Sequence, residues 1–598
     1  MIPLRYTRNL FLRAFCIVYL SAFLSFYIQI PGLYGDNGVL PAKAVLENSK
    51  HKTLSAKVHY QPTLLWLAPY LGLDTNYALD VLALLGAFLA FTGDELLLEA
   101  GFLAILVAPL LPGRKKGSKG SPSDFVSFWL VKWFLFRYLL TVGLTKFISG
   151  CPKWWSLTAL SYHFQSMPLP TPLSWYAHHL PEWGLRLAQV FAIVCEIALP
   201  FLFLIPIRSV VLQICIVLTG NFDFSNMLIV TLLLSLLDDQ FFYGRKKALK
   251  TWTIVGKIVN VVLFAGIVYG AVLLFSLKLN GTRIDSNIAF TKIQFDNILS
   301  QGLTYTIHLG LLSLAGTALY TLSHVLFDNQ GSGSKTLGVI STVFYGSIAV
   351  VLFFANTVPL ASLHPASNST VTPSVRSIHN RLHKLHAVNQ YGLFPKITGT
   401  EGRPEIILEG SDSIEGPWKE YNFLYKPGNV NHSLPFVAPY APKLDWQMYW
   451  AAYSTYEKQP WLLSLTHRLL VGKKEVLALL DNLHSPFAQK PPKYIRASIY
   501  RYKFSPRTQK SYSTWWVRER VSEYFPAFSK DSPALIDFLK ARNLLPTVST
   551  QAVNPIWKQA LDTVRYVTNH LEATLLFWSV LTAGLAVICT SGSGSAKK

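Results

Sequence analysis

The residues of this chain best suited to chemistry fall in one loop, SGCPKWWSLTALSYHFQSMPLPTPLSWYAHHLP, from Ser149 to Pro181. Cys151, His163, His178 and His179 carry the atoms for a zinc site, and the histidines alone would serve as proton carriers. Their spacing argues against both. Adjacent histidines cannot face one way on a regular element, and the chain has neither CxxC nor HExxH. Trp154, Trp155, Trp175 and Trp183 instead suit a membrane-interface belt, where an apolar ring meets water at one edge. Prolines at 168, 170 and 172 stiffen the backbone. The loop is therefore expected to be a rigid cap that packs or docks a client, with no metal and no cofactor.

Other candidates are weaker. His379, His383 and His386 share a helix face in SIHNRLHKLH, but Leu382 and Leu385 with Arg381 and Lys384 equally suit a helix at a membrane surface. Glu95 and Glu99 share a face in GDELLLEAG and require a basic partner if they lie in hydrocarbon. No G-x-S-x-G elbow occurs, and GSGSKT (331–336) lacks the spacing of a phosphate loop. No catalytic constellation emerges, so an enzyme is not expected.

The elements that must position these residues are mostly apolar helices. Of 598 residues, 51% are hydrophobic and only 14% charged, against about a quarter charged in soluble proteins. A polytopic α-helical membrane protein is expected. The +22 charge resides largely in tracts beside apolar runs, so the bilayer, and no nucleic acid, is the expected partner. Spans are expected at Leu10–Ile30, Phe125–Ile148, Gly184–Leu204, Trp252–Leu277, Thr304–Phe327, Leu337–Phe354 and Ala573–Cys589. Weaker candidates are Leu64–Leu73, Tyr77–Thr92, Leu96–Leu111, Ile207–Leu218 and Phe222–Leu237, for about 8 to 11 helices in residues 1–359.

Basic residues at Arg5, Arg8 and Arg13, in GRKKGSKG (113–120) and in GRKKALK (244–250) put the N-terminus in the cytosol. Loops 31–60, 149–183 and 278–303 then face the lumen, as do the glycosylation acceptors Asn280, Asn368 and Asn431. The crossings between Ile30 and Arg114 must be odd in number, so either Leu64–Leu73 also spans or one composite crossing forms.

Residues 360–570 read as a luminal α+β domain, β-rich, followed by a final transmembrane helix and short cytosolic tail in 571–598. Period-two alternation marks strands at Pro404–Asp412, Trp418–Gly428 and Lys493–Phe504, whereas Gln459–Leu483 has helical spacing. The domain holds 26 Lys and Arg against 15 Asp and Glu, a net +11 that favours an acidic partner or an anionic membrane surface over long range.

The Ser149–Pro181 loop resembles the luminal signature of the lipase maturation factor family. Collinear resemblances include LSFYIQIPGLYGDNGVLPA (24–42), LLLEAGFLAILVAPL (96–110), NQYGLFPKITG (389–399), GRPEIILEGS (402–411) and YKPGNVNHSLPFVAPYAPKLDWQMYWAA (425–452). One departure stands out: the family carries a further apolar span where AFLAFTGDELLLEA closes abruptly here, so the helices between 64 and 111 rearrange or the chain is a shortened form.

The resemblance implies a multi-pass protein of the endoplasmic reticulum membrane. It would assist the folding, assembly and export of secreted clients, dimeric lipases such as lipoprotein lipase being the reference case. Candidate client contacts are the cap residues Trp154, Trp155, Trp175, His178 and His179, and the domain aromatics Trp446, Tyr449, Trp450, Trp461, Trp515 and Trp516. Plain core packing remains open for each, because aromatics bury large areas in any β-rich domain. A membrane enzyme using the cap histidines, or a transporter using Glu95, Glu99 or Glu196, stands as the alternative.

Overall fold

A computed structural model describes residues 4–47, 53–60, 63–84, 95–109, 121–204, 225–237, 239, 250–327, 332–392, 396–507, 514–545, 553–570 and 573–593. Among these, four helices are long and apolar enough to cross a membrane: Arg5–Leu33, Asp124–Ile148, Lys292–Phe327 and Lys335–Ala361. Asp124–Ile148 is the hub, buried along nearly its whole length by aromatic and branched side chains. Trp129, Trp133 and Phe136 stack along one side of it, and Phe353 of the neighbouring helix packs against both tryptophans.

Several expected spans take other forms. Gly184–Leu204 becomes a 16-residue helix, Glu182–Ile197, followed by a tight 3-10 turn over Leu199–Leu204. Leu64–Leu73 folds as a 3-10 helix of eight residues, Leu64–Leu71, closed by Gly72 in the left-handed region at φ 67°. At about 2 Å per residue such a helix spans roughly half of a ~30 Å hydrocarbon core. The junction where this chain lacks the family's further span, within 85–94, lies outside the described residues, as do the basic tracts 113–120 and 244–249 and the candidate 207–218.

The helices end in two polar layers. At one end Arg8 pairs with Asp124 at 2.8 Å, and Asp239 accepts from the backbone amides of Tyr6 and Thr7. At the other lie the 149–183 cap, a hairpin of β1 (Lys278–Asn280) and β2 (Arg283–Asp285), and the C-terminal domain. Trp155 of the cap packs on Phe290 and Phe295 beyond the hairpin.

The C-terminal domain is built on an antiparallel sheet of β3 (Arg403–Ser411), β4 (Lys419–Glu420), β5 (Tyr494–Phe504) and β6 (Trp516–Ser529), in the order β4-β3-β5-β6. Two of the expected strands stand at their expected places. Trp418–Gly428 contributes only two residues of strand, and β6 went unforeseen because VRERVSEY alternates charge rather than hydrophobicity. The expected Gln459–Leu483 helix breaks at Gly472, φ 71°, into Pro460–Val471 and Lys474–Leu477.

Leu33 and Val39, from the end of the first helix and the loop after it, are buried within this domain's own core beside Leu444, Leu462 and Leu480. Gln29 donates to the Ala441 carbonyl at 2.8 Å and accepts from the Lys443 amide at 2.8 Å. The fully buried Arg468 donates through Nε to the Gly38 carbonyl at 2.7 Å. The domain is therefore continuous with the helical region through packing and hydrogen bonds.

Candidate functional site

The cap is shaped by local rules. Gly150 turns the chain at φ 65°, and Pro152 then starts a short helix, Pro152–Trp155, where its missing N–H costs nothing. The next helix, Leu160–Ser166, stops because Met167 precedes Pro168 and is held extended. A third, Pro172–His178, again begins on a proline.

These turns deliver the cap onto the sheet. Arg403, at the start of β3 and fully buried, donates to the carbonyls of Met167 and, at 2.9 Å, of Pro168. Its guanidinium pairs with Glu405, which also meets Lys426 at 3.0 Å, and lies over the rings of Tyr449 and Trp516. Tyr449 donates to the Ser166 carbonyl at 2.8 Å. Trp175 is only 2% exposed and packs with Ile407, Tyr502, Phe504 and Trp516. A second clasp lies deeper: Glu99 pairs with Arg137 and accepts from the Asn389 amide and the Tyr391 hydroxyl, both at 2.8 Å. Lys146 forms a buried ion pair with Glu196.

The candidate residues thus divide. Trp154, Trp175, Tyr449, Trp461 and Trp516 are buried against their own chain, so their rings are not available to a client in this conformation. Trp155, Trp446 and Trp515 are half-buried, and Trp155 donates to the Phe147 carbonyl. Trp450 is exposed, at 52%, and Tyr453 is exposed as well, both rings packing edge-on to Tyr449.

The histidines are packed too. His179 lies on the Trp175 ring at 4.1 Å and bonds its carbonyl, and His178 stands edge-on to Phe504. Burial, then the Lys146 ammonium, lowers His163 to about 4. Burial, then His179, lowers His178 to about 4. Among the described residues no group of three His, Cys, Asp or Glu side chains comes together to hold a metal ion. His379 and His383 stack at 5.7 Å. Of the acceptor asparagines, Asn280 and Asn431 are exposed, whereas Asn368 is half-buried in a short helix with Arg376 donating to its side-chain oxygen at 2.9 Å.

Sequence reasoning missed Arg403 and Tyr391, although both sit in stretches that carry the family resemblance; nothing in their spacing announces a partner far along the chain. The pairing of Glu99 was foreseen, but not its partner.

The model of the lipase maturation factor transmembrane domain matches residues 6–94 and 86–244, and that of the lipase maturation factor C-terminal domain matches 387–526. The chain belongs to the lipase maturation factor family. It is 37% identical to lipase maturation factor 2 of Gallus gallus over 97% of this chain and 89% of that protein. Against lipase maturation factor 2 of Homo sapiens identity is 37% over 98% and 91%, and against human lipase maturation factor 1 it is 28% over 88% of each. The second member is thus the nearer of the two, as IQIPGLYG and PTLLWLAPYLGLDT also suggest. No solved structure matches.

The transmembrane match breaks into two pieces that overlap at 86–94, the junction at which the sequence departs from the family resemblance. The C-terminal match begins at 387, next to Asn389 and Tyr391, so the family's second domain opens on the residues that clasp Glu99.

Proposed function

We propose that this lipase maturation factor family member is a multi-pass protein of the endoplasmic reticulum membrane that assists secreted clients, dimeric lipases among them, to fold, assemble and leave. The cap and the C-terminal domain face the lumen in this reading, the N-terminus faces the cytosol, and Ala573–Ser593 is the last span. What supports the orientation is the segregation of features: the acceptors Asn280, Asn368 and Asn431 lie toward the end that carries the cap, and Arg5 and Arg8 lie at the other. Names of the relatives support the activity.

The observation that carries the client reading is the contrast between Trp450 and its neighbours. Arg403, Tyr449, Trp175 and Trp516 form a buried base, and beside it Trp450 and Tyr453 are left exposed. Tryptophan and tyrosine are enriched among binding hot spots, and this pair is exposed beside a buried aromatic base. The test is secretion of active lipoprotein lipase from cells that depend on this chain. Trp450→Ala with Tyr453→Ala should lower secreted activity several-fold while chain abundance stays unchanged. Unchanged secretion would remove these residues from client binding.

A further inference from the structure

Just before the final helix stands a second one, Pro555–Asn569, whose three faces differ. One face is docked. Leu561 is buried, Arg565 pairs with Asp80 and donates to the Tyr27 carbonyl at 2.6 Å, and the Tyr77 hydroxyl donates to Asp562 at 3.0 Å. At 3.6 residues per turn, Ile556, Trp557, Ala560, Val564 and Val567 fall together on the next face. That face is uncovered: Ile556 is 77% exposed, and Trp557, Val564 and Val567 are exposed as well. The third face carries Gln559, Thr563 and Tyr566.

The uncovered apolar face continues into a neighbour. The Asn554 amide donates to the Gly72 carbonyl at 3.1 Å, and Val553 packs against Ala68 and Leu73. This seats the Leu64–Leu71 3-10 helix beside the amphipathic one, with Leu67, Leu71 and the 75% exposed Tyr70 also bare. Both elements lie at the domain end of the first helix, whose Tyr27 ring supports the Arg565 guanidinium at 3.8 Å. The next helix begins at Ala573, only four positions after Asn569, and packs on the first helix through Gly584 against Ile17.

We infer that Pro555–Asn569 and Leu64–Leu71 form a lipid-bound apron, lying in the plane of the headgroup–acyl boundary rather than crossing it. The occupant is the bilayer itself. Continuity with the last helix brings this face to the membrane, and the apolar–polar division with Trp557 at the margin matches an interfacial helix. Such an apron would pin the C-terminal domain flat on the membrane at the point where its chain leaves. The inference rests on the reading of Ala573–Ser593 as a span.

The test places nitroxide labels on the full chain in phosphatidylcholine nanodiscs, at single cysteines in a background with the five native cysteines replaced. Labels at Ile556, Val567 and Tyr70 should be relaxed by oxygen and shielded from a water-soluble nickel chelate, and labels at Gln559 and Tyr566 the reverse. Nickel access at 556 and 567 equal to that at 559 overturns the inference, and so does shielding from both reagents, which would mean a protein surface covers the face. A label at Leu585 separates the two readings. Lipid-like relaxation there with an aqueous 556 sinks only the apron, whereas nickel access at 585 sinks the span. Should the cysteine-free background misfold, benzoylphenylalanine at 556 in the native-cysteine chain gives a second readout. An acyl-chain adduct on irradiation supports the apron, and its absence while position 585 gives one overturns it.

Discussion

The indole N–H of Trp175 donates to the carbonyl oxygen of Ser505 at 3.2 Å, joining the cap to the end of β5 across 330 positions of sequence. Trp175→Ala empties a fully packed site and should cost about 3–5 kcal/mol. Trp175→Phe keeps most of the packing and loses one hydrogen bond, about 1 kcal/mol. Thermal unfolding of the detergent-solubilised chain checks the order. Equal melting temperatures for the two variants would mean that the bond, and not the packing, holds the cap.

Arg403 offers a sharper test of geometry. Its planar fork reaches the Met167 and Pro168 carbonyls while also pairing with Glu405, which the single ammonium of lysine cannot reproduce. Arg403→Lys should therefore release the cap almost as fully as Arg403→Met, read as faster proteolysis within 149–183. Full protection in the lysine variant would show that charge alone suffices.

The Glu99–Arg137 pair predicts a non-additive cycle. Arg137→Met leaves a buried carboxylate unpaired and should cost about 3–5 kcal/mol. Adding Glu99→Gln removes that charge and still accepts from Asn389 and Tyr391, so the double variant should recover much of the loss. Additive losses in chain abundance and melting temperature would refute the account.

Acid should loosen the cap. His163 and His178 are neutral in the folded state with pKa values near 4, against 6.5 ordinarily. Between about 4 and 6.5 the unfolded chain binds more protons, so stability is flat above that window and falls as pH drops through it. Hydrogen exchange of residues 149–183 should speed up on lowering the pH from 7 to 5, after correction for intrinsic rates, and His163→Gln with His178→Gln should flatten the response. A cap equally protected at both values would contradict it.

Deleting the C-terminal domain would be a poor probe of its role. Leu33 and Val39 lie in its core, and Met167, Pro168 and Trp175 lie against its sheet, so removal uncovers apolar surface in the part left behind. Lost activity in such a truncation would report on folding as much as on client contact.

What the sequence determined was local and compositional. Low charge and apolar runs of about 20 residues pointed to membrane-spanning helices, which satisfy their backbone groups within one segment, whereas barrel strands are about half as long. Period-two alternation located β3 and β5, and the prolines at 168, 170 and 172 marked a stiffened cap, while the short helices that Pro152 and Pro172 begin emerged only in the structure. Partnership was not legible in this way. That Trp175 and Trp516 occupy each other, that Arg137 answers Glu99, and that Leu64–Leu71 is too short to cross depend on residues brought together from distant parts of the chain. Hydropathy reports how much a side chain gains by leaving water, but not whether lipid, a client or the chain itself receives it. For most of the candidate client-contact aromatics the fold supplies the chain itself, and of that set Trp450 is the one left exposed.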